Sequence, residues 1–250
     1  MAREDLVTAA VLVIGDEILS GRTQDLNTNY IAKYLGELGI DLREVRVVPD
    51  IEAEIVAALN ALRTRYSYVF TTGGIGPTHD DITADAVAKA FGVPIAEDER
   101  AIAMLLERIA EQDLNPARRR MARIPEGAEL IENAISKAPG FMIGNVIVMA
   151  GVPIIMQAML DAAAGRIVKG VKVLVATVDA HNIPEGRYAA DLERIAKEHA
   201  RVTLGSYPSF SSAGVRNQIV LRSRDGAELE KAEEKVRALI AHLSANGTPL

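Results

Sequence analysis

Cysteine and tryptophan are both absent from the 250 residues. Without cysteine there is no disulfide framework and no thiolate zinc site, and the composition suits a reducing, cytoplasmic setting. Histidine is scarce, with four copies. His79 falls in a loop and is a candidate base or ligand; His181, His199 and His242 lack partner spacing and read as surface residues. Aromatics make up 4% of the chain, and the one close pair, Tyr30 and Tyr34, reads as core or interface rather than a stacking platform. No apolar run reaches the ~20 residues that a membrane-spanning helix needs. The start, "MAREDLVTAAVLVIGDE", is acidic ahead of a short apolar run and reads as neither secretory signal nor span. Basic excess is also missing: 28 Lys and Arg stand against 34 Asp and Glu, a net charge of -6. Nonspecific nucleic-acid binding wants a basic face, so neither nucleic acid nor membrane is an expected partner. The one dense basic run, "PARRRMAR" with Arg118, Arg119 and Arg120, reads as a solvated helix face; the alternative is that these arginines reach a ligand's phosphates across an oligomer interface.

What is present is alternation. Short β-branched runs, "TAAVLVIG", "DLREVRVV", "YSYVFTT" and "VIVMAG", read as strands. Between and after them, apolar residues recur at helical spacing: Tyr30, Ile31, Tyr34, Leu35 and Leu38 behind an Asn27 cap; Ile51, Ile55, Ala58, Leu59 and Leu62; Ile82, Ala86, Val87, Ala90 and Phe91; and "PIIMQAMLDAAAG". Long helical patterns are expected from Glu97 to about Met121. This order predicts a mostly parallel sheet with helices on both faces, a three-layer α/β domain over residues 1–168. From 169 to 250 the pattern becomes β-α-β-β-α, too short to extend that sheet, and predicts a second, smaller α+β domain.

Ligands of open parallel sheets bind outside the carboxyl ends of the strands. The residues following those ends are therefore the candidates. The first strand is followed by Gly15, Asp16 and Glu17, the second by Asp50, and "VIVMA" by Gly151 and Pro153. The third runs into "TTGGIGPTHDDIT", with Thr72, Gly73, Gly74, Gly76, Thr78, Asp80, Asp81 and Thr83. Glycines ahead of a helix let backbone N–H groups approach an anion, and the helix terminus adds positive potential. The loop thus suits a phosphate or pyrophosphate. Carboxylates repel phosphate unless a divalent cation lies between them, and Mg²⁺ binds through one or two carboxylates plus phosphate oxygens. Asp80 and Asp81 are the candidate metal ligands. The stretch is neither a P-loop nor the dinucleotide G-x-G-x-x-G fingerprint.

The same stretch resembles the signature of the molybdopterin-binding MoaB/Mog domain: G-G-x-G, four residues, then Asp-x-Thr, filled by Gly73, Gly74, Gly76, Asp81 and Thr83. A closer resemblance is to the N-terminal domain of the competence/damage-inducible protein A family, through "VIGDEILSGRTQDLNTNYIAKYL", "VVPD", "GGIGPTHDDIT", "ARIPEGAELIEN", "APGF" and "GVP", in that order. The tail, with "VTLGSYPSF", is similar to the small KH-like domain of those proteins. Their nicotinamide-mononucleotide deamidase domain is expected to be missing.

The resemblance implies a Mog-type three-layer fold, a homo-oligomer (dimer or trimer) and a small phosphorylated ligand. Mog-type relatives bind and adenylylate molybdopterin. Relatives of the competence protein are associated with metal-dependent cleavage of ADP-ribose-like pyrophosphates. By the same matching Asp81 is the catalytic acid, Asp50 its partner and Glu17 a further candidate. Two departures stand out: Ala150 replaces a proline and Ile155 a glutamate in the family's Pro-Gly-Val-Pro…Glu-Met pattern, and Ser136 and Lys137 replace Gly-Thr before "APG". The expected function is binding of a phosphorylated pterin or nucleotide, the alternative a metal-dependent pyrophosphatase. An RNA-binding role for the tail is disfavoured, since it has no G-X-X-G clamp between two helices.

Overall fold

The structure, a computed structural model, describes residues 6–211 and 214–245. The acidic start from Met1 to Asp5 lies outside them. The chain divides into two compact units, Met1–Gly170 and Val171–Leu250.

In the larger unit, strand β1 (Thr8–Ile14) is buried almost end to end. Its side chains alternate between two cores: Ala10, Leu12 and Ile14 enter one, Ala9, Val11 and Val13 the other. A strand covered on both faces needs apolar residues at successive positions, and this run supplies them. Each large aliphatic side chain so buried contributes about 1.5–3 kcal/mol. Around β1 the sheet runs β2 (Asp41–Val48), β1, β3 (Tyr68–Thr72), β8 (Val146–Met149), β7 (Gly140–Ile143), β6 (Glu129–Ile131). The first four strands are mutually parallel, while β7 is antiparallel to both its neighbours.

Helices α2 (Asn27–Glu37) and α7 (Pro153–Ala163) cover one face through Ile31, Leu35, Met156, Met159 and Leu160. Helices α3 (Glu52–Arg63) and α4 (Thr83–Phe91) cover the other through Ile55, Leu59, Leu62, Ala86 and Val87. The result is the three-layer, mostly parallel architecture expected. The cap of α2 differs: the Asp25 carboxylate accepts from the Asn27 N–H at 2.9 Å, so Asn27 starts the helix rather than capping it.

The expected long helical stretch from Glu97 to Met121 is a correction. Helix α5 covers only Glu99–Leu106, flanked by a two-stranded sheet of β4 (Ile95–Glu97) and β5 (Arg123–Pro125), with a one-turn α6 (Pro116–Arg119) between. Asp98 caps α5 through the Arg100 N–H, and Asn115 caps α6 through the Arg118 N–H. Asn115 is held extended by Pro116, which disfavours helix at the residue before it. The apolar spacing survives this interruption because α5 and the turns after it pack on the same core.

The smaller unit runs β9 (Leu174–His181), α8 (Ala189–Glu198), β10 (Thr203–Ser211), β11 (Gly214–Ser223), α9 (Gly226–Ala245), with an antiparallel sheet in the order β10-β11-β9. Ile195, Ile219, Leu221, Val236 and Ile240 share its core. His199, read as a surface residue, is 7% exposed, and its Nδ1 lies 3.3 Å from Glu228 Oε2.

Candidate functional site

Register brings the strand ends to one rim. Ile14 lies opposite Val48, Val13 opposite Thr72, and Thr72 opposite Met149. The loops leaving these positions therefore meet.

Gly73 and Gly74 have φ of 101° and 67°, a region that disfavours any side chain. A Cβ on Gly73 would stand 2.1 Å from the Ile14 carbonyl oxygen, and one on Gly74 2.1 Å from Thr83 Oγ1. The loop is pinned from below. Thr83 donates its hydroxyl to the Gly73 carbonyl at 2.9 Å and its backbone N–H to the Gly74 carbonyl at 3.0 Å. Gly73 N–H donates to the Met149 carbonyl at 3.2 Å. On the neighbouring loop Gly151 packs against Gly73, a Cβ there falling 3.3 Å from Gly73 Cα, and its carbonyl accepts from Asn27 Nδ2 at 2.7 Å. Pro153 opens α7.

Thr72 and Thr83 are both buried beneath the loop rather than facing solvent; Thr83 holds backbone there, while the Thr72 hydroxyl has no hydrogen-bond partner among the described residues. Gly74, Ile75 and Gly76 are half-buried, and Pro77, Thr78, His79 and Asp80 are exposed. His79 is 99% exposed at its side chain, and its Nδ1 is 3.9 Å from Asp80 Oδ1.

The aspartates do different things. Asp81 turns back into its own loop: Oδ2 accepts from the Thr78 N–H at 2.8 Å and the Thr78 hydroxyl at 2.6 Å. It does not cap α4, whose N-cap is Ile82 with no side-chain bond. Asp50 does not cap α3, whose N-cap is Ile51. Its Oδ2 instead accepts from the Asp16 N–H at 3.0 Å, at the start of the short helix α1 (Asp16–Leu19). Burial raises the Asp50 carboxyl above the ordinary range; the Asp16 N–H opposes this, and the charges of Asp16, Glu17 and Asp80 add to it. Asp16, Glu17, Asp50 and Asp80 thus share one patch of field, with Gly15 buried at its base. Among the described residues no three carboxylates or histidines converge tightly enough to hold an ion by themselves.

Ile155 sits in the partly buried layer against the core of α2 and α7, while its neighbour Ile154 is 62% exposed. The departure at 155 therefore lies at the edge of the core rather than on the open rim.

Sequence reasoning missed the other side of the glycine loop. Gly74, Gly76 and Asp81 form one wall of a cleft whose other walls include Arg120, Arg123 and Phe141. Arg118 is exposed and Arg119 pairs with Glu97 at 2.8 Å, as a solvated face would have it. Arg120 is half-buried and donates to the Asp81 carbonyl at 3.3 Å, a correction to that reading. The signal was the short α6, which ends at Arg119 and turns the next residue inward.

Comparison with known proteins bears on the family and the fold. Residues 10–169 match the family model described as "Probable molybdopterin binding domain", and residues 173–246 match "FAD synthase, middle domain". "Protein Ta0487" of Thermoplasma acidophilum is 34% identical over 205 residues, covering 80% of each chain. A "CinA-like protein" of Citrifermentans bemidjiense is 35% identical over 251 residues, 94% of this chain and 59% of that one. The crystal structure of "the protein CinA with unknown function from Thermoplasma acidophilum" superposes with a TM-score of 0.61 at 37% identity, over 65% of this chain and 98% of that chain.

Proposed function

The chain belongs to the molybdopterin-binding domain family through residues 10–169, and from that premise we propose that it binds a phosphorylated pterin or nucleotide on the loop Gly73–Thr83. The observation that carries this reading is the loop itself. Three glycines, two of them in conformations closed to other residues, are locked over Thr83 at the start of α4 and leave Gly74 to Asp80 open above it. Such a loop presents backbone N–H groups and a helix terminus to an anion.

A divalent cation suits the donor set. Asp50 is raised first by burial and then by three neighbouring acids, and a cation among them would relieve the repulsive part. Asp50 and Asp80 would hold it together with oxygens of the ligand; Asp81, braced to Thr78, would fix the loop beside it. When bound, Mg²⁺ supplies Lewis-acid polarisation of a phosphoryl oxygen.

A second reading is hydrolysis of a pyrophosphate such as ADP-ribose. It is favoured by the raised Asp50 carboxyl, which is a better proton acceptor than an ordinary aspartate once ionised. Asp50 would take a proton from water as the oxygen attacks phosphorus and the bridging P–O bond breaks, yielding two monophosphates.

Calorimetric titration with a molybdopterin precursor, ADP-ribose, FAD and NAD, with and without Mg²⁺, tests both. Binding of at least one compound, strengthened by Mg²⁺ and weakened in Asp81→Ala, which removes the brace to Thr78, supports the reading. Absence of binding across the panel, or equal binding by Asp81→Ala, counts against it. Release of AMP from ADP-ribose, lost in Asp50→Asn, would select the second reading.

A further inference from the structure

The acidic patch and the cleft lie on different sides of the glycine loop. Asp16, Glu17 and Asp50 follow β1 and β2, whereas Arg120 precedes β5, Arg123 opens it, and both line the cleft with Gly74 and Gly76. A phosphate resting on the loop needs counter-charge, and the cleft carries two arginines.

Its arginines are incompletely used. The Nε atoms of Arg120 and Arg123 are both buried without a hydrogen-bond partner. A buried guanidinium N–H left without an acceptor costs more than a neutral one, so such a donor is an expectation of an acceptor. Arg123 is already committed elsewhere through its ion pair with Asp85. Arg120 has a 3.3 Å bond to the Asp81 backbone carbonyl, a weak commitment for a group with five donors. The Asp81 carboxylate spends Oδ2 on Thr78 rather than on the arginine.

We infer that this cleft is the anion-binding half of the site, with Arg120 gripping a phosphate of the ligand across the glycine loop from the acids. The inference rests on the proposed loop-binding function and names the residue that function requires. It divides the labour: Arg120 and the glycine backbone hold the phosphate, and the rim of Asp50 and Asp80 handles the cation and any water. Arg123, neutralised by Asp85, orients the wall rather than competing for the anion.

The test is titration of the full chain with inorganic pyrophosphate and with ADP-ribose, in native protein and in Arg120→Gln, with Arg118→Gln as the exposed control. Arg120→Gln should weaken both probes about tenfold or more, Arg120→Lys should recover part of the loss because it keeps charge but not the planar fork, and Arg118→Gln should match native protein. Native affinity in Arg120→Gln, with binding lost in Gly74→Ala, would overturn the inference and leave the loop reading standing. Failure of native protein to bind either probe would overturn both. Should Arg120→Gln not fold, the native chain still decides. The Arg120 Nε–H resonance, assigned by its disappearance in Arg120→Lys, should shift on adding pyrophosphate. An unmoved resonance contradicts the proposal.

Discussion

At the scale of single residues the molecule separates groups that strain the fold from groups that hold it. Asp50 is of the first kind. Its folded carboxyl is raised, chiefly by burial and then by the Asp16, Glu17 and Asp80 charges. A carboxyl raised on folding binds its proton more tightly in the folded state. The native state is therefore penalised above that raised value, and the penalty is relieved as pH falls through it to below the ordinary aspartate value of ~3.9. Asp50→Asn can still accept the Asp16 N–H, so it should melt roughly 1–3 °C higher than native protein at pH 7. The gain should vanish near pH 3, where both forms are neutral; a gain that persists there, or a loss at pH 7, would show that Asp50 is not under charge strain. Asp50 was legible in the sequence because the carboxyl end of a parallel strand is where an acid meets other acids. Its partner Asp16, 34 residues away, was legible only as another strand-end residue. Arg120 was legible only as one of three arginines, read first as a solvated face. A run of three arginines has the same appearance whether its last member turns out or in, and that choice is made by the ending of a one-turn helix.

Elements follow the same division. Strands β1, β3 and β8 could be read as continuous buried apolar runs, β2 as a β-branched edge strand with Val45 and Val47 exposed, and helices α2, α3, α4 and α7 from their apolar stripes. The short β4, β5, β6 and β7 could not, because three or four residues carry no period. The glycine loop was legible as a phosphate-type loop, but not the device that locks it, which is Thr83 at 0% exposure. Thr83→Val removes the bond to the Gly73 carbonyl and should cost about 1–3 kcal/mol, read by urea denaturation, together with ligand affinity. Thr83→Ser should restore most of both. If Thr83→Val binds and unfolds like native protein, the loop is held by something else. Gly73→Ala should be worse than either, because its Cβ would meet the backbone of Ile14, which cannot swing away as a side chain could. A soluble Gly73→Ala protein with native stability would contradict the geometry.

For the whole molecule, the two compact units each carry a separate core. The solved Thermoplasma chain is covered to 98% by a match spanning 65% of this one. Residues 1–170 should accordingly express as a folded protein with the native near-ultraviolet spectrum, and limited proteolysis should first cut near residues 168–172; a first cut within the sheet, or an insoluble fragment, would argue against two folding units. The account stands or falls on where a phosphorylated ligand lands. The most direct measurement is a titration of isotope-labelled full-length chain with ADP-ribose and Mg²⁺, followed at assigned backbone amides. The account predicts that Gly74, Gly76 and Thr78 shift first and most, with the start of α4 close behind and the smaller unit unmoved. Saturable binding that leaves these amides in place and moves residues elsewhere would contradict it.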